Sequence, residues 1–340
     1  MARMSGGQNN VTRGGPMGWV SRVLAQVAAL AIVGTAAAQD FPSRPISIIV
    51  PFSAGGPTDT LARILAERLR APLNQTVLVE NVTGASGSIA VARVARAPAD
   101  GYMISIGHVG THVINGAIYN LNYDLLRDLD PVALVANNPQ LIVGKRALPA
   151  NTLAELIAWM KENGDKATCA SSGSGSPSHI AALHFQTATG TRCQLIPYRG
   201  AAPAIQDMLA GQVDLMFDQA SNALPQVRGG GVKAFAVTAD KRLGSAPEIP
   251  SVDEAGVRGF YIAVWHGLWV PKGTPKDIVT KLNAAVVEAL ADPGVRRRLE
   301  DLGQEIPTRE QQSPEGLGAH HKAEIDKWWP VIKAANLKAE

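Results

Sequence analysis

The chain has 340 residues, with 32 lysines and arginines against 29 aspartates and glutamates, 5% aromatic residues and two cysteines. A charge balance this close to neutral argues against nucleic acid or an anionic membrane surface as the partner. The length exceeds one ordinary core and suggests two domains, and a composition rich in Ala and Gly with few aromatics fits layered α/β structure.

Residues 1–38 have the form of an export signal. Arg13 and Arg22 precede an apolar segment from Val23 to Ala37, and small residues Ala36 and Ala38 stand before Gln39, so cleavage is expected near Ala38. The segment is too short and too Ala-rich for a membrane span. A start at Met17 gives a signal of ordinary length, which leaves Met1 and Met17 both open as the start. Cleavage removes Arg3, Arg13 and Arg22 and no acidic residue, so the mature chain is formally neutral.

The organising stretch is Ile46 to Arg70, ISIIVPFSAGGPTDTLARILAERLR. Its β-branched start predicts a buried strand, and Pro51 to Pro57 a tight loop. Thr58 or Asp59 can cap the helix that follows, whose apolar positions Leu61, Ile64, Leu65 and Leu69 recur at helical spacing. Backbone N–H groups around Gly55 and Gly56, at the positive end of a helix dipole, suit an anion. The same glycines serve equally a plain strand-to-helix turn. Neither GxGxxG nor GxxxxGK[ST] is present, which argues against a nucleotide-phosphate loop.

Farther along, a short strand at residues 77–80 leads to a small-residue loop, NVTGASGS, that opens a helix through Ile89, Val91 and Val94. A strand from Tyr102 to Ile106 ends at Gly107 and His108. This alternation predicts a parallel sheet with helices on its faces, and ligands collect at the carboxyl ends of such strands. Residues 132–143, broken at Asn137-Asn138-Pro139, read as a strand passing from one domain to another.

From Leu153 the pattern restarts as a helix, the strand KATCAS and the loop Ser171 to Ser176 (SSGSGS). A helix from Ser178, the strand QLIPY, the helix APAIQDMLAGQ and the strand VDLMFD follow. VKAFAVTA is a further strand, VWHGLWVP a return strand, and the tail alternates a helix from Pro275 to Leu290, a charged turn at Arg296 to Arg298, a short strand from Gly303 to Pro307 and a closing helix through Trp328 and Trp329. Cys169 and Cys193 each lie in an apparent strand, KATCAS and TRCQLIPY, so a disulfide between neighbouring strands and a reduced buried pair are both compatible with the pattern; no zinc spacing is present.

The blocks RPISIIVPFSAGGPTD, NVTGASGSIAVARVARAPADGY, CASSGSGSPSHIAALHF, PYRGAAPAIQDMLAGQVDLMFD and ADPGVRRRLEDLGQE, in this order, closely resemble the substrate-binding proteins of tripartite tricarboxylate transporters, the Bug or TctC-like extracytoplasmic solute receptors. The resemblance runs from about Phe41 to the C-terminus. It implies an α/β, two-lobed periplasmic binding protein of type II, the Venus-flytrap form, each lobe a mainly parallel sheet flanked by helices. Lobe 1 would hold both chain ends (39–140 and 260–340) and lobe 2 would be an insertion (141–259). It implies a receptor, not an enzyme, that needs no cofactor or metal, closes on a small carboxylate and hands it to a membrane permease. A monomer is expected, because such a receptor needs a free rim to dock. A variant of this reading feeds a sensor instead of uptake.

Carried onto this chain, the family's ligand loops are Phe52, Ser53, Ala54, Gly55, Gly56 and Asp59, facing Ser171, Ser172, Gly173, Ser174, Gly175 and Ser176, with Asp218 near the cleft. Oriented N–H and O–H donors can hold a carboxylate without a full counter-charge. Asp59 reads better as a cap or loop brace than as a contact, because it would repel an anion, and Asp218 meets the same objection unless it accepts from a ligand hydroxyl or amine. The segment GHVGTHVING with His108 and His112 departs from the usual family form. Trp265 reads as hinge packing more readily than as a cleft wall, and His184, His266, His320 and His321, which offer no metal spacing, as surface or structural histidines. The rival reading is a secreted hydrolase using Ser176 or Ser178 with His179, but no GxSxG elbow supports it.

Overall fold

The computed structural model describes residues 1, 2, 6, 7 and 41–334; the apolar segment and cleavage site read as an export signal lie outside them. The first sheet grows around β1 (Ile46–Val50), which pairs in parallel with β2 (Val77–Asn81) and β3 (Met103–His108). β9 (Ala263–Pro271) lies antiparallel to β3, and β4 (Leu129–Lys145) antiparallel to β9.

The 17-residue β4 explains the break seen in the sequence. Its segment from Leu129 to Pro139 pairs with β9, and from Gln140 it turns to β7 (Leu215–Gln219) and β8 (Val232–Val237). Pro139, which has no N–H to give a ladder, sits where the partners change. The strand is continuous and both sheets share it. Beyond β7 the second sheet is parallel again, through β5 (Thr168–Ser171) and β6 (Gln194–Pro197). The sheets are therefore mixed: β1 to β3 and β5 to β7 are joined by parallel pairs, and β4 runs antiparallel to β7, β8 and β9.

Side-chain alternation sorts the core. Leu141, Val143 and Met216 face one hydrophobic cluster with α6 (Ala201–Leu209) and α7 (Ala220–Arg228). Ile142, Leu215 and Phe217 face the other, with α4 (Leu153–Asn163) and α5 (Pro177–Thr189). This is the period of two expected for strands covered on both faces. A third cluster joins Ile49, Val91, Trp265 and Trp269 to α2 (Ser88–Ala95) and α10 (Pro314–Ala334). In α1 (Pro57–Leu73) the expected stripe Leu61, Ile64, Leu65 and Leu69 is buried, each side chain contributing roughly 1.5–3 kcal/mol of burial.

Several expectations need correction. The cap of α1 is Gly56, with Pro57 in the first turn, and neither Thr58 nor Asp59 holds that position. The charged turn is a helix, α9 (Pro293–Asp301), because the Asp292 side chain accepts from the N–H groups of Gly294 and Val295 and starts it. α7 escaped notice because Pro225, Ser221 and Asn222 mask its buried face of Ala220, Ala223 and Leu224. The strand expected at residues 303–307 reduces to one bridge between Glu305 and Asn137. A π-helical turn, Gly110–Ile114, follows β3 and leads into the short α3 (Asn115–Ile118). α8 (Lys276–Ala291) matches its expected position.

Cys169 on β5 and Cys193, just before β6, form a disulfide that joins adjacent strands across a sequence separation of 24 residues. A closed loop of this length limits the unfolded chain, and its loss is worth about 3 kcal/mol. We expect Cys169→Ala/Cys193→Ala to melt several degrees lower than the parent chain, and the parent to fall to the same value under reductant. Equal melting with and without reductant would show that the bond contributes nothing.

Candidate functional site

The loop after β1 is shaped from below by a buried carboxylate. Asp59, 2% exposed, accepts from the Gly55 N–H at 2.8 Å, from Arg63 Nε at 2.8 Å and Nη2 at 3.0 Å, and from Asn81 Nδ2 at 2.9 Å. Asn81 also donates to the Phe52 carbonyl. Burial pushes the Asp59 carboxyl up, but the bonds from Arg63, Gly55 and Asn81 outweigh it and hold it below its ordinary value. All of its recorded bonds go to the loop and its surroundings, so it braces the loop. Ala54 and Gly55 are exposed at the tip, and Gly56 is buried at the start of α1. Ser53 Oγ is buried and has no hydrogen-bond partner.

The second small-residue loop ends at α5. Ser176 caps that helix by accepting from the His179 N–H, and Ser178 Oγ accepts from the Ser172 N–H at 2.9 Å. Gly175 N–H donates to His179 Nδ1 at 2.7 Å. Ser176 Oγ and His179 are thus joined through the cap and not as a nucleophile with its base. Ser171 is buried at the end of β5, and its carbonyl accepts from the Tyr198 N–H.

Two further segments complete the site, and neither was placed there by sequence reasoning. The turn Ala85–Gly87 precedes α2, and Ser86 Oγ donates to the Ser174 carbonyl at 2.5 Å. Tyr119 OH reaches the same carbonyl at 3.0 Å and Ser86 Oγ at 3.1 Å. Ala85 and Ser86 both carry positive φ, 43° and 47°, a conformation that side chains disfavour. The segment from Pro197 to Gly200 precedes α6, and a Cβ placed on Gly200 would stand 2.5 Å from Ser53 Oγ. Ala85–Gly87 lies in a small-residue loop between a strand and a helix, a signal that could have found it, whereas Pro197 to Gly200, with Tyr198 and Arg199, carries no such signal.

Together these loops enclose a cavity of about 260 Å³ lined by Phe52, Ser86, Tyr119, Ser172 to Ser174 and Tyr198 to Arg199, among others. The loops at Phe52, Ser86, Ser172 to Ser174 and Tyr198 to Arg199 lead into the N-termini of α1, α2, α5 and α6, and Tyr119 follows the C-terminus of α3. The backbone N–H groups of Ser53, Ala54, Gly173, Ser174, Arg199 and Gly200, in or beside the wall, have no acceptor among the described residues. Among the described residues Arg199 is the one charged side chain in the lining. Such a site offers hydrogen-bond donors, converging dipoles and little acceptor capacity, which suits a carboxylate.

Asp218 stands apart from this lining. It is 2% exposed at the end of β7, where it accepts from the Gln219 N–H and from Asn222 Nδ2 at 2.6 Å. Burial pushes its carboxyl up to about 7 against the pull of those two bonds. His108 is buried behind Phe52, stacked on it with ring centroids 4.9 Å apart, and His112 stacks on Trp269 at 3.7 Å. Both imidazoles are held neutral by burial first and by neighbouring histidines second.

A larger cavity, about 560 Å³, opens beside the strand crossover and is lined by Trp265, His320, Glu324 and Trp328 among others. Asp240, Glu305, Lys241, Arg242 and Lys327 also line it, and Glu324 Oε2 takes both indole N–H groups of Trp265 and Trp328 at 3.1 Å. Trp265 is 5% exposed and belongs to the core cluster under β9, so it packs the crossover as well as walling this cavity. The smaller cavity holds the unpaired donors and is the better candidate. Among the described residues no cluster of His, Cys, Asp and Glu could hold a metal ion, and no helix is long and apolar enough to cross a membrane.

Two mixed sheets sharing a crossover strand, with glycine- and serine-rich loops from each meeting over a small cavity, define a periplasmic binding protein fold. Residues 61–337 match the model of the tripartite tricarboxylate transporter family receptors, and the chain belongs to that family. It is similar to the solved periplasmic binding protein BugD, with 42% identity and a TM-score of 0.84 over 88% of this chain and 100% of the other. MatC from Rhodopseudomonas palustris, solved with bound malate, is 39% identical with a TM-score of 0.82 over 86% and 100% of the two chains. A second R. palustris protein, solved with adipate, is 35% identical with a TM-score of 0.84 over 88% and 100%.

Proposed function

We propose that the mature chain is a periplasmic receptor that captures a small organic carboxylate between lobe 1 (39–140 and 260–340) and lobe 2 (141–259) and delivers it to the membrane permease of a tripartite tricarboxylate transporter. The observation that carries this reading is the set of unpartnered backbone donors from Ser53, Ala54, Gly173, Ser174, Arg199 and Gly200 around one small cavity. Phe52, Gly56, Ser171, Ser172, Gly175 and Ser176 shape the same loops, Asp59 braces the first of them, and Asp218 supports the second sheet beside β5. Relatives solved with malate and adipate favour the same ligand class. Closure brings donors from both lobes onto one ligand, so affinity depends on a molecule that bridges them.

A thermal-shift screen of residues 39–340 against mono-, di- and tricarboxylates and their amides tests this. A ligand at a hundred times its dissociation constant adds roughly 2.7 kcal/mol, which raises the midpoint by a few degrees. Stabilisation by one carboxylate class, absent with the matching amide, is the expected result. A ligand-free preparation that no acid stabilises rules the carboxylate out.

A further inference from the structure

We propose that Ser86 and Tyr119 form a latch on the Ser174 carbonyl, which keeps the cavity shut over its ligand and sets how long the ligand stays; this rests on the carboxylate-receptor reading above. The partners come from loops of different sheets, Ser86 and Tyr119 from those that follow β2 and α3, and Ser174 from the one that follows β5. Ser86 Oγ donates to the Ser174 carbonyl at 2.5 Å, and Tyr119 OH stands 3.0 Å from that carbonyl and 3.1 Å from Ser86 Oγ. All three residues line the cavity. Two hydroxyls therefore converge on one acceptor across it.

Each side is prepared for this meeting. Ala85 and Ser86 hold positive φ, a conformation that persists only where the surroundings enforce it. Asn115, fully buried, supplies that enforcement: its Nδ2 donates to the Ser86 carbonyl at 3.0 Å, and its own carbonyl accepts from the Tyr119 N–H at 2.9 Å. One asparagine thus sets the place of both hydroxyls. On the other side Ser174 stands between Gly173 and Gly175, at φ 128° and 76°. A Cβ on Gly173 would lie 2.9 Å from Ser86 Oγ, and one on Gly175 3.0 Å from Ile118 Cδ1. Glycine on both flanks of the carbonyl lets the facing loops come this close.

The consequence is kinetic. A ligand enters before the loops meet and leaves only after they part, so bonds between the loops slow dissociation more than they alter association. Either hydroxyl can cover the carbonyl, so removing one leaves it a partner. Removing both leaves a half-buried acceptor unpaired, which costs more than the loss of one bond twice over.

The experiment is stopped-flow dissociation, read by tryptophan fluorescence, for the mature protein, Ser86→Ala, Tyr119→Phe and the double variant. The probes are the mono-, di- and tricarboxylates of the thermal screen, malate and adipate among them. Each single variant should release its acid about two- to threefold faster than the parent, and the double variant roughly twentyfold faster, above the product of the singles. The association rate should change by a smaller factor in each case. A double variant that releases its acid at the product of the single rates marks two independent contacts with the ligand and overturns the latch, as do variants with the parent's dissociation rate; either outcome leaves the receptor reading standing. If no acid of the panel binds the ligand-free parent, the receptor reading itself falls and this inference with it.

Discussion

Asp59→Asn lowers the melting temperature at neutral pH by about 5 °C, and the difference from the parent closes as pH falls below the ordinary carboxylate range. Each oxygen of Asp59 receives two donors, Oδ2 from Gly55 N–H and Arg63 Nε, Oδ1 from Arg63 Nη2 and Asn81 Nδ2. An asparagine must turn an NH₂ group toward one of these pairs, so donors confront donors. Breaking a buried charge pair costs about 3–5 kcal/mol, and the exposure of Arg63, 54%, places this case at or below the low end. The sign on pH follows from the direction of the shift. A carboxyl held below its ordinary 3.8 stabilises the fold above that value, and this contribution is lost as pH falls through the folded pKa. The asparagine variant has no such contribution to lose. Whichever pair the NH₂ faces, Gly55 and Arg63 or Arg63 and Asn81, loses its acceptor, so the loop from Phe52 to Gly56 should loosen too, and the stabilisation given by a bound carboxylate should shrink. Melting curves of the two proteins from pH 3 to 8 decide it, and identical midpoints at pH 7 would show that Asp59 braces nothing.

The elements legible from sequence were those whose pattern carries its own period. β1 and α1, the strands KATCAS and VDLMFD, and the crossover at Asn137-Asn138-Pro139 all announced themselves through alternation or helical spacing. The partner exchange along β4 was readable because polar residues and a proline interrupted an apolar run without turn-forming glycines. What escaped was set by contacts distant in sequence. Ser86 and Tyr119 enter the site because they meet the Ser174 carbonyl across 88 and 55 residues, and no local pattern records such a meeting. α7 was hidden because polar Ser221 and Asn222 are buried with Ala220, Ala223 and Leu224, and Pro225 follows directly. Arg199 was in view within the block PYRGAAPA but had no local feature to set it apart from a solvated arginine.

The same logic explains why the site can do without a buried cation. Four loops, each ending at a helix start, leave donors that the helices cannot satisfy themselves. Held rigid by Asp59, by the Ser176 cap and by the Ser86–Tyr119–Ser174 contacts, those donors need no reorganisation to meet an anion, and preorganised dipoles can replace its lost hydration. The strands that carry the loops meet through β4, so the loops of the two sheets are linked by one continuous strand as well as by the cavity.

Asp218→Asn leaves stability near pH 4 almost unchanged and raises it at pH 8, by an amount of order 4 kcal/mol at most. Asp218 is buried without a cation, and burial lifts its carboxyl from 3.8 to about 7 against the bonds from Asn222 and Gln219. A raised folded pKa gives a contribution fully present below the unfolded value and lost as pH rises through the folded one. The parent therefore loses stability between about pH 4 and 7 and then levels off. Asparagine is neutral throughout, and with Asn222 turned to present its oxygen it keeps the contact. The buried histidines act in the opposite sense over the same window. Burial depresses His266 to about 3 and His321 to about 4, so each favours the fold above the ordinary 6.5 and its contribution is lost as pH falls. In the parent Asp218 offsets only part of the histidine trend, to which buried His108 and His112 also add, so the profile from pH 4 to 6.5 rises less steeply than in the variant. In Asp218→Asn only the histidine trend remains, so its melting temperature should climb steeply with pH across that interval. Parallel profiles for the two proteins would mean that Asp218 is ionised in the fold at neutral pH, and that an unseen partner or a more open second sheet accommodates its charge.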